Sequence, residues 1–331
     1  MAHITLNKAN FFHNLDLIAK QTKDIQKIAL VLKDNAYGHG LLKIAKLAKE
    51  YGIKKAVVRN SHEAELIQDY FEYILVLADT KTIENNKIRY TINNINDINK
   101  FEKNTKIELK IDTGMHRNGI APHEIQTAFK LIKKQQLKLE AVFTHHRSAD
   151  ELTSEWFWQN KLFEDVKKDA TKLALKYDFK QLRFHSANSA SLFRHKNFNE
   201  DMARVGLAAY GCLDSNFKAV LSLYASKIST REIKKGEAIG YGATYTANDD
   251  MKVSNYDFGY GDGFLRSCSN KYVTPNNEQL LGRISMDNST FLSTKDEILV
   301  FDDANQIAKS TQTISYEVLT SLKENIKRVI V

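Results

Sequence analysis

Cysteine is scarce in this chain: Cys212 and Cys268 are the two examples among 331 residues. Two thiols are too few for a disulfide framework and lack the Cys-x-x-Cys spacing of a zinc or redox site, which fits a reducing cytoplasm. Proline (2) and glycine (14) are also sparse, which excludes collagenous and low-complexity chains. No run approaches the roughly 18 apolar residues of a membrane span. The segment from Met1 to Phe12 is interrupted by His3, Asn7, Lys8 and Asn10 and has no apolar stretch of signal-peptide type. A cytoplasmic protein without a membrane anchor is the expectation. Acidic residues fall short of basic ones, 40 against 48, for a net charge of +8. The lysines are spread through helical stretches at 41–50 and 128–138 with no dense cluster, a pattern of solvated helix faces rather than a nucleic-acid footprint.

What is present is a chain with 43% hydrophobic and 27% charged residues, enough to bury a sizeable core in two domains. Short apolar runs alternate with amphipathic stretches through the first two thirds. The strand candidates are 28–32, 54–58, 73–77, 89–92, 107–111, 139–144, 182–185 and 205–210. Helices are clearest at 41–51, at 122–135 with Pro122 near the first turn, and at 151–177. Eight such strands predict an α/β fold, a (β/α)8 barrel of TIM type, whose parallel strands are buried on both sides. A doubly wound open sheet would show the same alternation. Beyond Asn216 the runs shorten and turn-rich pieces such as Asn248-Asp249-Asp250 and Pro275-Asn276-Asn277 intervene, predicting a mostly antiparallel β domain. The expected division is a barrel over 1–215 and a β domain over 216–331.

The apolar run Leu30-Val31-Leu32 ends in Lys33-Asp34-Asn35-Ala36-Tyr37-Gly38-His39-Gly40. In a barrel this puts Lys33 at the C-terminal mouth, where a lysine amine can attack an aldehyde to form a Schiff base. A lysine reaching out of a strand end to water is the plainer reading of that position. Ile111-Asp112-Thr113-Gly114-Met115-His116-Arg117 brings Arg117, a planar fork for a carboxylate, to a glycine-punctuated loop. Thr144-His145-His146 closes the next run without an acidic or thiol residue at metal-ligand spacing, so a packing histidine is preferred to a metal ligand. Ser189, in His185-Ser186-Ala187-Asn188-Ser189, and the amides of Gly206 and Leu207 suit a phosphate, or simply cap a helix. The carboxy-terminal part places tyrosines beside glycines at Gly240-Tyr241-Gly242, Gly259-Tyr260-Gly261-Asp262-Gly263 and Ser315-Tyr316, with Gly282-Arg283-Ile284-Ser285-Met286-Asp287 between them.

These segments occur in the order found in alanine racemases, and the chain resembles that family from its first strand to its last helix. The resemblance implies a barrel followed by a β domain, with pyridoxal 5′-phosphate carried on Lys33. It implies that Tyr37, Ser189, Gly206, Leu207 and Tyr316 surround the cofactor phosphate, with Asn188 beside them, and that Arg204 faces the ring nitrogen with His145 close to the ring. Arg117 and the Met286 amide match contacts to the substrate carboxylate. Lys110 matches a lysine that is carbamylated in some members and orients that arginine, and Tyr260, Arg266 and Asp287 match supporting positions. Racemisation needs a proton removed from one face of Cα and delivered to the other. Lys33 would serve one face and Tyr241 of the partner subunit the second, making a homodimer necessary for each site. Because the tyrosine phenol ionises near pH 10, His145 and Arg204 are expected to supply the charge or donors that it needs. The implied role is D-alanine supply for peptidoglycan. Two departures stand out: His146-Arg147 replaces a less polar pair, and Leu265 stands where proline is usual. The alternatives are a racemase acting on serine or larger side chains and a non-catalytic cofactor-binding protein of the same barrel.

Overall fold

A computed structural model describes residues 1–331, and the chain divides into two units. One comprises Leu15–Lys33 and Ile44–Ala209, the other Met1–Asn14, Asp34–Lys43 and Tyr210–Val331. The first strand of the chain, β1 (His3–Leu6), falls in the second of these.

The first unit is built on eight parallel strands: β2 (Ile28–Val31), β3 (Lys55–Val58), β4 (Tyr73–Val76), β5 (Ile88–Ile92), β6 (Lys106–Lys110), β7 (Lys138–Phe143), β8 (Arg183–His185) and β9 (Ala203–Val205). They run in the order β8-β7-β6-β5-β4-β3-β2-β9, which is the predicted barrel and not a doubly wound sheet. Between the two end strands the Arg204 N–H donates to the Ala187 carbonyl at 2.9 Å and the Asp201 N–H to the Phe184 carbonyl at 3.1 Å. The predicted strand at 205–210 is corrected: pairing ends at Val205, and residues 207–211 form turns. The helix Ile125–Lys134 buries Ile125, Ala128, Phe129 and Ile132, the i, i+3, i+4, i+7 stripe that seats it on a sheet. Asn188 caps Ser189–Arg194 by accepting the Ser191 N–H.

In the second unit the long strand β10 (Leu221–Ile233) is the organiser. It pairs antiparallel with β1, with Met251–Tyr256 and with Glu297–Phe301, while Lys327–Ile330 lies parallel to β1. The polar amino terminus is thus a strand of the mostly antiparallel sheet. Alternation makes this possible: Ile4 and Leu6 are fully buried, and His3 and Thr5 face the other side. Cys212 and Cys268 are both free, and burial pushes each thiol up to about 12.

Candidate active site

Five of the expected site residues lie at or close to the C-terminal ends of barrel strands. Lys33 follows β2, whose ladder continues through the Leu32 N–H to the Val57 carbonyl at 2.8 Å. Lys110 closes β6, Arg117 lies in the loop after it, His145 follows β7, and Arg204 sits in β9. These groups feel one another. Burial first, then the charges of Arg117, Arg204 and Lys33, bring the Lys110 ammonium down to about 8, with Asp112 opposing the fall. The Asp112 carboxylate accepts the Gly114 and His116 N–H groups at 2.9 and 3.1 Å, folding the loop that carries Arg117. Burial first, then the charges of Arg204, Lys110 and Arg117, hold His145 well below the usual histidine range. Of the pair expected to supply charge or donors, Arg204 is a cation near neutrality, and His145 is a neutral ring with one N–H to offer.

Arg204 is buried, yet its guanidinium is drawn down only to about 10 and remains a cation. One terminal nitrogen donates to the carbonyls of Thr144 (2.6 Å) and Ser186 (3.1 Å). The other reaches Nδ1 of His185 (2.5 Å) and the His185 carbonyl (3.3 Å). Ser189 Oγ accepts the N–H groups of Gly206 and Ala208, both at 3.2 Å. Its two acceptor sites are therefore filled, and its own hydrogen is left to donate. Ala208, absent from the expected phosphate cup, belongs beside Gly206 as an anchor of that serine.

In the second unit the segment after Lys33 takes an unusual path. Asp34, Asn35, Ala36 and Tyr37 have φ of 53°, 55°, 53° and 51°, a left-handed helical turn of four residues that carry side chains. Such a turn costs about 1–2 kcal/mol per residue in isolation. The motif supplies what holds it. The Gly40 N–H donates to the Asn35 carbonyl at 2.9 Å, and the Asn35 side chain accepts the Leu41 N–H at 2.8 Å. His39 Nδ1 lies 3.0 and 2.9 Å from the carbonyls of Ala36 and Tyr37, so Nδ1 carries the hydrogen. Gly38, at φ +75°, lies so close to the Leu319 carbonyl oxygen that a Cβ would overlap it. The turn points the Tyr37 ring at those of Tyr210 (5.2 Å) and Tyr316 (5.6 Å). Burial and the neighbouring Tyr316 raise its phenol above the usual range. Asp34–Tyr37 is a strained connection, of the sort that persists where a site over-determines it.

Elsewhere in this unit the expected site residues share one cluster of loops. Tyr260 and Gly261 donate N–H groups to the carbonyls of Ser285 (3.0 Å) and Met286 (2.8 Å). Asn270 links the Thr244 carbonyl (3.0 Å) to the Gly282 N–H (2.6 Å). Tyr241, Tyr260 and Met286 are 65%, 41% and 56% exposed, and Arg266 and Asp287 are exposed beside them. The Tyr241 phenol makes no hydrogen bond within the chain. Leu265 has φ −59°, the value that a proline ring imposes, so its departure leaves the backbone path unchanged. His146 is buried against Trp156 and held at about 4, hence neutral. Arg147 donates to the Gly114 carbonyl at 2.8 Å and pairs with Glu155, bracing the Arg117 loop.

The sequence motifs do not single out Glu108 or His185, which lie 2.9 Å apart beside Arg204. Glu108 is a carboxylate at the middle of a strand whose neighbours Ile107 and Leu109 are fully buried. That charge inside an apolar run was the available signal.

Comparison with known proteins bears on this arrangement. Residues 6–214 match the family described as alanine racemase, N-terminal domain, and residues 220–330 its C-terminal domain. The chain is 45% identical to an alanine racemase of Nitratiruptor sp. over 335 residues, 99% of each chain. It is 43% identical over the full length of both to one of Campylobacter jejuni strain 81-176. Among solved structures it superposes on an alanine racemase of Clostridium difficile 630 with TM-score 0.90 at 25% identity, covering 100% of this chain and 95% of that one. A Bartonella henselae alanine racemase with covalently bound pyridoxal phosphate shares the fold, with TM-score 0.85 at 23% identity over 100% and 99% of the two chains.

Proposed function

The chain belongs to the alanine racemase family and is an isomerase, and on that premise we propose how its residues interconvert L- and D-alanine. The observation that carries the reading is the gathering of Lys33, Lys110, Arg117 and Arg204 at the strand ends of one barrel, close enough to depress the Lys110 ammonium. An anionic aldehyde cofactor and an amino-acid carboxylate are the ligands that such a set suits.

The donor set fits pyridoxal 5′-phosphate. Lys33 has the amine that would hold its aldehyde carbon. Ser189 has a hydroxyl hydrogen left to donate, and the Leu207 N–H, between two amides committed to Ser189, has no acceptor in the chain. With Gly206, Asn188 and the phenols of Tyr37 and Tyr316 they would hold the phosphate. Arg204 would meet the ring nitrogen, and neutral His145 would lie along the ring. When bound, the cofactor supplies an electron sink that acidifies the amino acid Cα–H.

Arg117 and the Met286 N–H, which has no acceptor in the chain, bind the substrate carboxylate. Lys110 orients Arg117, and Tyr260, Arg266 and Asp287 support the loop cluster. Lys33 Nζ takes or returns the proton on one face of Cα. Tyr241 Oη of the partner subunit does so on the other. A homodimer with shared sites would cover Tyr241, Tyr260 and Met286, which are exposed on one loop cluster. The barrel unit, Leu15–Lys33 and Ile44–Ala209, carries Lys33, Ser189 and Arg204 for the cofactor, in place of the expected division at 215/216, and residues 216–331 supply the second base. No helix is long and apolar enough to cross a membrane. Work in the cytoplasm, as a supplier of D-alanine to peptidoglycan, completes the reading.

The test is spectroscopic and kinetic. Protein incubated with pyridoxal 5′-phosphate should develop a near-visible absorbance band that is lost in Lys33→Ala, and should convert L-alanine to D-alanine. A protein that stays colourless overturns the reading. A kcat/KM for serine or lysine above that for alanine would establish the broader racemase in its place.

A further inference from the structure

Parallel barrel strands are buried on both faces and ordinarily carry apolar side chains. In β6, of sequence Lys-Ile-Glu-Leu-Lys, the central side chain is nonetheless a completely buried carboxylate. Burying a charge is costly unless it is paired and hydrogen-bonded, and Glu108 is surrounded by donors. Its Oε1 accepts the Tyr73 hydroxyl hydrogen at 2.5 Å and a guanidinium hydrogen of Arg183 at 3.0 Å. Its Oε2 lies 2.9 Å from Nε2 of His185. These three partners hold the carboxyl at about 2, so it is ionised.

The proton on His185 follows from its other side. Arg204 has only hydrogens to offer and approaches Nδ1 at 2.5 Å. Nδ1 must therefore present its lone pair, the ring hydrogen must be on Nε2, and Nε2 must donate to Glu108. The imidazole is stacked on Phe143, with centroids 4.7 Å apart and planes 12° from parallel, which fixes its orientation. The Arg204 guanidinium lies over the same ring at 5.1 Å. With all four terminal hydrogens directed at His185, Thr144 and Ser186, Nε–H is the only guanidinium donor of Arg204 without an acceptor in the chain.

We propose that Glu108 is a positioning residue for the racemase reaction: it holds His185 in the Nε2–H tautomer and so gives Arg204 the acceptor that aims its guanidinium. The inference rests on the assignment of Arg204 to the cofactor ring. Glutamine cannot do the same work. Arg183 has only hydrogens to offer at Oε1, so the amide oxygen of Glu108→Gln turns to it and to the Tyr73 hydroxyl beside it. Its NH2 then faces Nε2 and claims the lone pair there. The ring hydrogen moves to Nδ1, where it confronts the N–H of Arg204.

The experiment is 15N NMR of histidine-labelled, cofactor-loaded protein, with His185 assigned by its loss in His185→Asn. Wild type should show Nε2 protonated and Nδ1 bare, and Glu108→Gln the reverse. Racemisation kcat should fall about 10- to 100-fold in Glu108→Gln, by analogy with the loss when a group orienting a metal-bound histidine is removed, with KM little changed. His185→Asn keeps an acceptor carbonyl at the Nδ1 position without any tautomer, so in that background Glu108→Gln should change kcat less than about twofold. An Nδ1–H or doubly protonated His185 in the wild type overturns the proposal without any variant, even if Glu108→Gln does not fold. An equal loss in both backgrounds also overturns it. Wild-type protein that does not racemise alanine refutes the functional reading instead, and the His185 tautomer is still measured.

Discussion

Exposing the protein to carbon dioxide near neutral pH should convert Lys110 to a carbamate. Its ammonium is brought to about 8 from the ordinary 10.5. At pH 7 about a tenth of Lys110 is then free amine, against about one in three thousand for an ordinary lysine, a roughly 300-fold gain in the reactive form. The amine nitrogen bonds to the carbon of CO2, a proton leaves to solvent, and the side chain becomes an anion. Burial, the larger cause of the shift, favours the neutral amine. Arg117, Arg204 and Lys33 then favour the carbamate, because a negative charge replaces a positive one among them. The assay is 13C NMR of protein equilibrated with 13C-bicarbonate at pH 7 and pH 8.5, beside Lys110→Ala. A carbamate signal that is absent from Lys110→Ala is expected. It should weaken in Arg117→Gln, which removes the largest neighbouring charge and lets the ammonium pKa rise. Identical spectra for wild type and Lys110→Ala, or a Lys110 that titrates near 10.5, would refute the electrostatic reasoning.

Tyr241→Phe should leave thermal stability within about 1 °C of wild type, since the exposed phenol makes no bond within the chain, while racemisation falls by about 10²- to 10⁴-fold. Undiminished racemisation would show that Tyr241 is not the second base. His39, fully buried, is held at about 4. The unfolded chain therefore binds its proton more readily, so stability is complete above about pH 6.5 and falls as the pH drops from 6.5 towards 4, by up to about 3 kcal/mol. Urea melts from pH 7 to 4 should show that slope, and His39→Gln should flatten it. Arg147→Ala removes the brace at the Gly114 carbonyl and should raise the KM for alanine about two- to fivefold, with kcat little changed. An unaltered KM would mean that the Arg117 loop holds without it.

Much of the fold was legible because its signals are local. Seven of the eight expected barrel runs overlap an observed strand almost end to end, since a strand buried on both faces reads as a short, largely apolar run bounded by polar residues. The eighth, 205–210, is displaced. Val205, Leu207, Ala208 and Ala209 are as apolar as a strand, but Gly206 and the turn at 207–211 bend the chain there. β1 escaped notice because four residues alternating beside a polar neighbour are too short a pattern to weigh against the absence of an apolar run.

Of the site, the amino acids themselves determined the chemistry on offer. Lys33 at a strand end, Arg117 in its loop, Ser189 at a helix start and tyrosines between glycines all follow from residue type and near neighbours. Tertiary structure decided how those groups are held and in which protonation state. The left-handed turn at Asp34–Tyr37 depends on Gly38 fitting against the carbonyl of Leu319, far along the chain. The neutrality of His145 and the weak basicity of Lys110 depend on cations brought together from several strands. Which nitrogen of His185 bears the hydrogen depends on a carboxylate 77 residues away and an arginine 19 residues away. Periodicity and motif order are properties of the chain. Burial, charge neighbours and hydrogen-bond direction arise from contacts between distant segments, and only the folded barrel and sheet supply them.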